Sequence, residues 1–263
     1  MGVISSKRRS MPVTPRIDSG AATHIGRRSN NEDSFCLRPE LGFFAVADGL
    51  GGHEGGEVAS DLVLRTVTDF LSSRAQTPPS AEEPGGETPE QLLFQAVRLA
   101  HEEVRDEQRA RVKLSMMAST LTAVLFQEAV AVVCNLGDSR TFLVREGAVQ
   151  RLTRDHTVIA EMEAAGLDTK TPFALRHRNS LTGAVGMEDS VEPECERVPV
   201  RPGDVLLLCS DGLYEPVPPE MMTELLAQGG SAQEIAERLV TRAYDRGGTD
   251  NITGIVLRVL DNT

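Results

Sequence analysis

A chain of 263 residues, 40% hydrophobic and 25% charged, is long enough to bury a substantial core and has the balance of a soluble globular protein. Its formal net charge of −12 disfavours nucleic acid as a partner, and the absence of Trp removes the usual stacking platform for single strands. The charge is uneven. Residues 1–16 carry Lys7, Arg8, Arg9 and Arg16 and no acid, which leaves the other 247 residues at −16. An anionic ligand on such a body needs local compensation from a cation or a well-placed arginine.

Residues 1–16 read as a flexible basic arm. Met1-Gly2-Val3-Ile4-Ser5-Ser6 fits an N-myristoylation pattern, with Lys7-Arg8-Arg9 as an electrostatic second anchor, but a solvated arm is the simpler expectation. The basic start runs into Ser10, Pro12 and Pro15 instead of an apolar stretch, so no secretory signal is expected. No apolar run approaches the roughly 18 residues that a bilayer span requires. A cytoplasmic monomer is expected, with weak membrane-surface contact through the arm as its one link to a lipid surface. Cys36, Cys134, Cys195 and Cys209 form no Cys-x-x-Cys pair, and all four are expected to be reduced.

Further along, the apolar run Leu41–Ala47 stops at Asp48-Gly49, as a buried strand does at a turn. Ala59, Val63, Val67 and Phe70 then recur at helical spacing. Residues 72–90, rich in Pro, Gly, Ser and Glu, predict a mobile surface loop, and Leu93, Val97, Ala100 and Val104 a second helix. Short strands follow at Thr120–Phe126, Ala129–Asn135, Thr141–Arg145 and Ala148–Leu152, the last two joined by a Glu146-Gly147 hairpin turn. Val158, Met162 and Ala165 predict a short helix, and residues 167–180 an irregular flap. Val205–Cys209 is a buried strand, Ser231 with Glu234 a capping box, and Ile252–Leu260 the closing strand. Clustered strands with helices arriving in pairs predict an α+β fold of antiparallel sheets, in one domain over 17–262.

The acids fall in a pattern. Asp48, Asp138 and Asp211 each end a buried run, and Asp250 immediately precedes the last strand; each stands in a glycine-containing turn. One Asp-Gly after a strand is a turn and nothing more. Four of them, with Glu32-Asp33 beside Asn30-Asn31, would crowd anionic groups at the sheet ends, a conflict that hard divalent cations resolve. An all-oxygen set suits Mg²⁺, Mn²⁺ or Ca²⁺, and no His/Cys cluster argues for zinc. Gly49 lets a backbone carbonyl approach an ion closely. Two such ions would activate water and polarise a phosphoryl oxygen. Arg28, just before the acidic cluster, is the candidate fork for a phosphate, although Arg27 beside it shows how little position alone decides.

Arg28-Ser29-Asn30-Asn31-Glu32-Asp33, Ala47-Asp48-Gly49-Leu50-Gly51-Gly52-His53, Gly137-Asp138-Ser139-Arg140, Ser210-Asp211-Gly212-Leu213 and Gly248-Thr249-Asp250-Asn251-Ile252-Thr253 resemble, in order, the motifs of the bacterial protein phosphatase 2C (PPM) family over roughly residues 18–260. The resemblance implies a four-layer α-β-β-α sandwich and hydrolysis of phosphoserine and phosphothreonine in proteins by water activated at a dinuclear Mn²⁺ or Mg²⁺ centre. It implies that Asp48 bridges the two ions, that the Gly49 carbonyl binds the first, and that Asp211 and Asp250 bind the second. Asp138 and Asp211 would form the third ion site of bacterial members, and Glu32 and Asp33 would hold ion-bound waters. Arg28 would bind the substrate phosphate, and residues 157–182 would be the flap. Phosphorylated proteins would be the partners, with a Ser/Thr kinase opposed.

The chain departs from the pattern in two places. Where some relatives place a histidine directly after Asp-Gly as general acid, this chain has Leu50, with His53 three residues on. Leu181-Thr182-Gly183 stands where many relatives read Leu-Thr-Arg. Two alternatives stay open from sequence: a phosphatase-fold regulatory module with weak turnover, and a structural calcium-binding protein. The spread of the acids from Asp33 to Asp250 disfavours the latter, because calcium loops carry their ligands close together in sequence.

Overall fold

The computed structural model describes residues 15–51, 55–76, 87–187 and 191–261. In chain order its elements are β1 (Arg16–His24), β2 (Asp33–Arg38), β3 (Phe43–Leu50), α1 (Gly55–Gln76), α2 (Pro89–Ala110), β4 (Ala118–Ser119), β5 (Leu121–Gln127), β6 (Val130–Leu136) and β7 (Arg140–Arg145). There follow β8 (Ala148–Arg151), α3 (Val158–Ala164), α4 (Pro172–Arg176), β9 (Glu194–Pro199), β10 (Val205–Cys209), α5 (Asp211–Tyr214), α6 (Pro219–Ala227), α7 (Ala232–Asp245) and β11 (Ile252–Leu260). One sheet runs β1-β11-β10-β7-β8; the other runs β2-β3-β5-β6-β9, with β4 beside β3. The pairings are antiparallel.

Side chains that alternate along each central strand fill different cores. In β3, Phe43, Ala45 and Ala47 join a cluster with Val63, Val67, Leu93 and Val97 of α1 and α2, whereas Phe44 and Val46 face Leu206, Leu208, Ile255 and Leu257 of the opposite sheet. In β10, Leu207 and Cys209 turn instead to Ile235, Leu239 and Ala243 of α7. Three apolar layers thus separate helices, sheet, sheet and helices. This explains why β3 and β10 read as continuous apolar runs: both faces are buried. Burying one such large side chain fully contributes roughly 2–3 kcal/mol of transfer free energy.

The local signals act where the sequence places them. Glu146 and Gly147 both take positive φ in the β7–β8 hairpin, and Ser231 and Glu234 cap α7 reciprocally. Elsewhere the boundaries move. Helix α1 runs on to Gln76, and α2 starts at Pro89 because Thr88 and Gln91 form a capping box. Only 87–88 of the residues described in the 72–90 segment stay non-helical, and 77–86 lie outside the described residues. Of the expected basic arm, residues 1–14 also lie outside them, whereas Arg16 opens β1 by pairing with Leu260. The flap span carries α3 and α4 and closes at its root through the Thr157–Leu181 bridge and the Val158 amide on the Ser180 carbonyl (2.9 Å).

The expectation of four reduced cysteines is corrected. Cys134 and Cys195 form a disulfide, because β6 and β9 are neighbours and their register sets these two residues opposite each other. Cys36 and Cys209 remain free thiols. No helix among the described residues is long and apolar enough to cross a membrane.

Candidate metal centre

The antiparallel registers bring the ends of β3 and β6 and the starts of β2 and β5 to one end of their sheet. The end of β10 and the starts of β7 and β11 meet them there from the other sheet. Asp33 and Asp48 are direct register partners across β2 and β3. Like charges opposite each other on one face are destabilising unless something compensates. The backbone of Asp48 is already satisfied: its amide donates to Thr120 Oγ1 (2.9 Å), and its carbonyl accepts from the Thr120 amide (2.9 Å) and the Ser119 hydroxyl (3.1 Å). Its side chain lines the cleft.

Asp211 is the first residue of α5, set by the strand end it follows; the Ser210 amide donates to the Thr253 carbonyl at 3.1 Å. Its Oδ1 is buried without a hydrogen-bond partner. Asp250 precedes β11, accepts from the Asn251 amide on Oδ1 (2.8 Å), and takes Arg28 Nη2 on Oδ2 at 2.6 Å. Asp138 occupies the β6–β7 turn, where its carbonyl accepts from the Tyr214 hydroxyl at 3.1 Å. Gly49 donates its amide to the Glu32 carbonyl (3.1 Å), and a Cβ there would collide with the Gly56 carbonyl. A Cβ on Gly56 would in turn strike the Glu32 carboxylate, so both glycines let α1 press against the acidic loop.

Arg28, Glu32, Asp48, Asp138, Asp211 and Asp250, with Gly49, line one cleft of about 390 Å³. Asp33 stands behind it, not in it. Its Oδ2 accepts from the Ser210 hydroxyl (2.8 Å), tying the two sheets together, while its Oδ1 is buried and unpartnered. His53 lies outside the described residues.

The electrostatics are those of crowded acids. Burial, then the neighbouring carboxylates Asp33, Asp211, Asp138 and Asp250, hold Asp48 well above the ordinary carboxylate range. Burial followed by Asp138 and Asp250 pushes Asp211 up to about 8. Asp33 and Asp138 are each raised to about 6, burial again the largest cause. Among the described residues no three His, Cys, Asp or Glu side chains already stand gathered to hold an ion. The acids line the cleft without closing a shell, and one oxygen of Asp250 is on Arg28. The donors nonetheless fit hard divalent cations: they are all oxygen, one of them is a buried oxygen with no partner, and their mutual repulsion calls for positive charge.

Several positioning residues carried no role in the sequence reading. Asn251 Oδ1 accepts from the Glu32 amide (2.8 Å), and its Nδ2 donates to the carbonyls of Ile25 (3.0 Å) and Asn30 (2.9 Å). One side chain thus fixes the Arg28–Glu32 loop to the base of β11. Thr120 and Ser139 hydroxyls meet at 2.7 Å, joining the supports of Asp48 and Asp138. Asn251 stands beside Asp250 and Ser139 beside Asp138, which is the available signal; Thr120 has no acid near it in sequence and is brought to Asp48 by the fold alone.

A family model for protein phosphatase 2C matches residues 21–244. The chain belongs to the protein phosphatase 2C family. It is 34% identical over 241 residues to the serine/threonine phosphatase Stp of Listeria innocua, covering 89% of this chain and 93% of that one. Among solved structures, the Mycobacterium tuberculosis serine/threonine phosphatase PstP superposes with a TM-score of 0.79 at 34% identity, over 93% of this chain and 99% of that one. A structure of the PstP catalytic domain in complex with two manganese ions gives 0.78 over the same shares, again at 34% identity. As a protein phosphatase 2C, the chain is an enzyme of the protein-serine/threonine phosphatase class. The family match ends before Asp250, so that residue's place in the site rests on the fold, which sets it in the cleft with Asp48 and Asp211.

Proposed function

We propose that this phosphatase hydrolyses phosphoserine and phosphothreonine esters in proteins at the carboxylate cleft, with two divalent ions, Mn²⁺ or Mg²⁺, held by Asp48, the Gly49 carbonyl, Asp211 and Asp250. A third ion would rest on Asp138 and Asp211. The observation that carries this reading is the convergence of Asp48, Asp138, Asp211 and Asp250, 202 positions apart at the extremes, on one cleft whose acids repel one another. When bound, such ions supply activated water and neutralise charge on the phosphoryl oxygens.

The chain's own residues do the rest. Arg28, exposed at the rim, offers a planar fork for two phosphate oxygens and orients the ester for in-line attack. Glu32, seated against Gly56, holds water at the cleft edge. Asp33 acts from behind, fixing Ser210 and so the strand end that carries Asp211. The flap, rooted at Thr157 and Leu181, places Asn179 and Leu181 on the cleft wall where a protein substrate would lie. The physiological setting we assign is a cytoplasmic monomer that opposes one or more Ser/Thr kinases.

The test is hydrolysis of p-nitrophenyl phosphate and of a phosphothreonine peptide with Mn²⁺, with and without EDTA. Turnover that requires the ion and disappears on chelation is expected. Tight Mn²⁺ binding without turnover would point to a regulatory module instead. Arg28→Ala is expected to raise KM for the phosphopeptide by roughly 10-fold or more, with a smaller change in kcat, as loss of a charge-assisted hydrogen bond requires. An unchanged KM would remove the phosphate-clamp role.

A further inference from the structure

Arg28 is not idle in the cleft. Its Nη2 lies 2.6 Å from Asp250 Oδ2, although the two residues are 222 positions apart, Arg28 in the β1–β2 loop and Asp250 just before β11. The contact has a built geometry. Asn251 pins the loop that carries Arg28 through the Asn30 and Ile25 carbonyls, the Arg28 amide donates to the Ile25 carbonyl (3.3 Å), and the Arg27 amide donates to the Thr249 carbonyl (3.3 Å). The segment before β11 therefore holds the arginine loop by its backbone, and the guanidinium closes onto Asp250. The same guanidinium also feels Glu32 and Asp211, so it faces the acids of the cleft and not a single exposed partner.

We infer that Arg28 is the resident counter-cation of Asp250 in the metal-free protein, and that loading of a divalent ion displaces it and frees it to bind the substrate phosphate. This rests on the proposed reading of the cleft as a metal centre. Asp250 Oδ1 accepts from the Asn251 amide and Oδ2 from the guanidinium, so an ion that takes Oδ2 takes the arginine's partner. A phosphate dianion entering next to the ions then offers the replacement, and it suits the guanidinium fork better than a single carboxylate oxygen. The order follows from the chemistry: an arginine still on Asp250 is a poor phosphate clamp, so substrate capture is coupled to metal loading. The coupling is reciprocal, because a side chain that competes for Asp250 weakens the ion by the factor the ion weakens it.

The consequence has a sign that a phosphate clamp alone does not give. Removing a substrate-binding residue ordinarily leaves metal affinity where it was; removing a competitor raises it. The pair is more than half exposed on the arginine side, so the effect is modest, and a gain of about 3- to 5-fold in Mn²⁺ affinity is expected, in keeping with an exposed ion pair. Arg27 is the control. It carries the same charge one position earlier, and among the described residues no salt bridge joins it to an acid.

The experiment is Mn²⁺ titration of the full-length metal-free protein by calorimetry, with free ion followed by its electron paramagnetic resonance, for the wild type, Arg28→Ala, Arg28→Gln and Arg27→Ala. The expected result is a Kd for Mn²⁺ that falls about 3- to 5-fold in both Arg28 variants and changes by less than about 1.5-fold in Arg27→Ala. An unchanged or weaker Kd in the Arg28 variants overturns the inference, as does an equal gain in Arg27→Ala, which would mean only the loss of a nearby positive charge. Failure of the wild type to bind Mn²⁺ at all would instead overturn the metal-centre reading beneath it.

Discussion

Replacing Asp211 by asparagine is expected to lower turnover by about 10³-fold or more and, in the same variant, to raise the melting temperature of the metal-free protein. The two effects have one cause. Asp211 is delivered to the cleft by the end of β10, with Oδ1 buried and unpartnered and with Asp138 and Asp250 as neighbours. Burial and those neighbours raise it to about 8. At neutral pH the native metal-free protein either holds a repelled charge there or binds a proton that an unfolded chain would not bind; both destabilise it. Asparagine keeps the shape and removes the charge, so the metal-free fold gains, by about 3–8 °C if the release is 2 kcal/mol or so. The charge it removes is also the one that would hold ions, so the stabilisation seen on adding Mn²⁺ should shrink as activity is lost. Thermal scans in EDTA and in Mn²⁺, beside turnover measurements, separate these outcomes. A variant that melts lower in EDTA would make Asp211 a structural residue, and one that keeps its activity would take it out of the metal centre.

What the sequence showed of this fold depended on burial. Val205–Cys209 and Ile252–Leu260 are legible to the residue because both faces of these strands are covered: the first is an unbroken apolar run, and the second stays predominantly apolar although Thr253, Gly254 and Arg258 interrupt it. Strands β1, β2 and β9 escaped. They lie at sheet edges, and Arg16–His24, Asp33–Arg38 and Glu194–Pro199 mix charged, small and half-exposed residues that carry no periodic signal. Helix α6 was hidden by its Pro218-Pro219 start, which reads as a breaker but serves as a helix N-terminus. The acids were legible as a set, since each ends or precedes an apolar run. Their partners were not. That Asp33 opposes Asp48, that Ser210 reaches Asp33 across 177 positions, and that Cys134 meets Cys195 are consequences of strand register, which no local pattern encodes.

The same crowding sets how the metal-free protein should respond to pH. Asp33 and Asp138 are raised to about 6 and Asp211 to about 8, and Asp48 is raised too, each with burial as its largest cause; an unfolded aspartate titrates near 3.9. Between those limits the native state binds more protons than the unfolded one, so the slope of stability against pH is negative. The stability these protons give is fully present below about pH 4 and is lost as pH rises through 6 and on to 8. In EDTA the melting temperature is therefore expected to drop by about 5–10 °C between pH 5.5 and pH 8. Mn²⁺ should act in the opposite sense, stabilising most at pH 8, because ions bind the deprotonated acids and release their protons. Asp211→Asn removes the group that titrates highest and should flatten the upper half of the curve, which distinguishes the cleft from general repulsion on a chain of net charge −12. A melting temperature in EDTA that stays level or climbs from pH 5.5 to 8 would mean that the acids are ionised without strain, and that the cleft has no unmet demand for a cation.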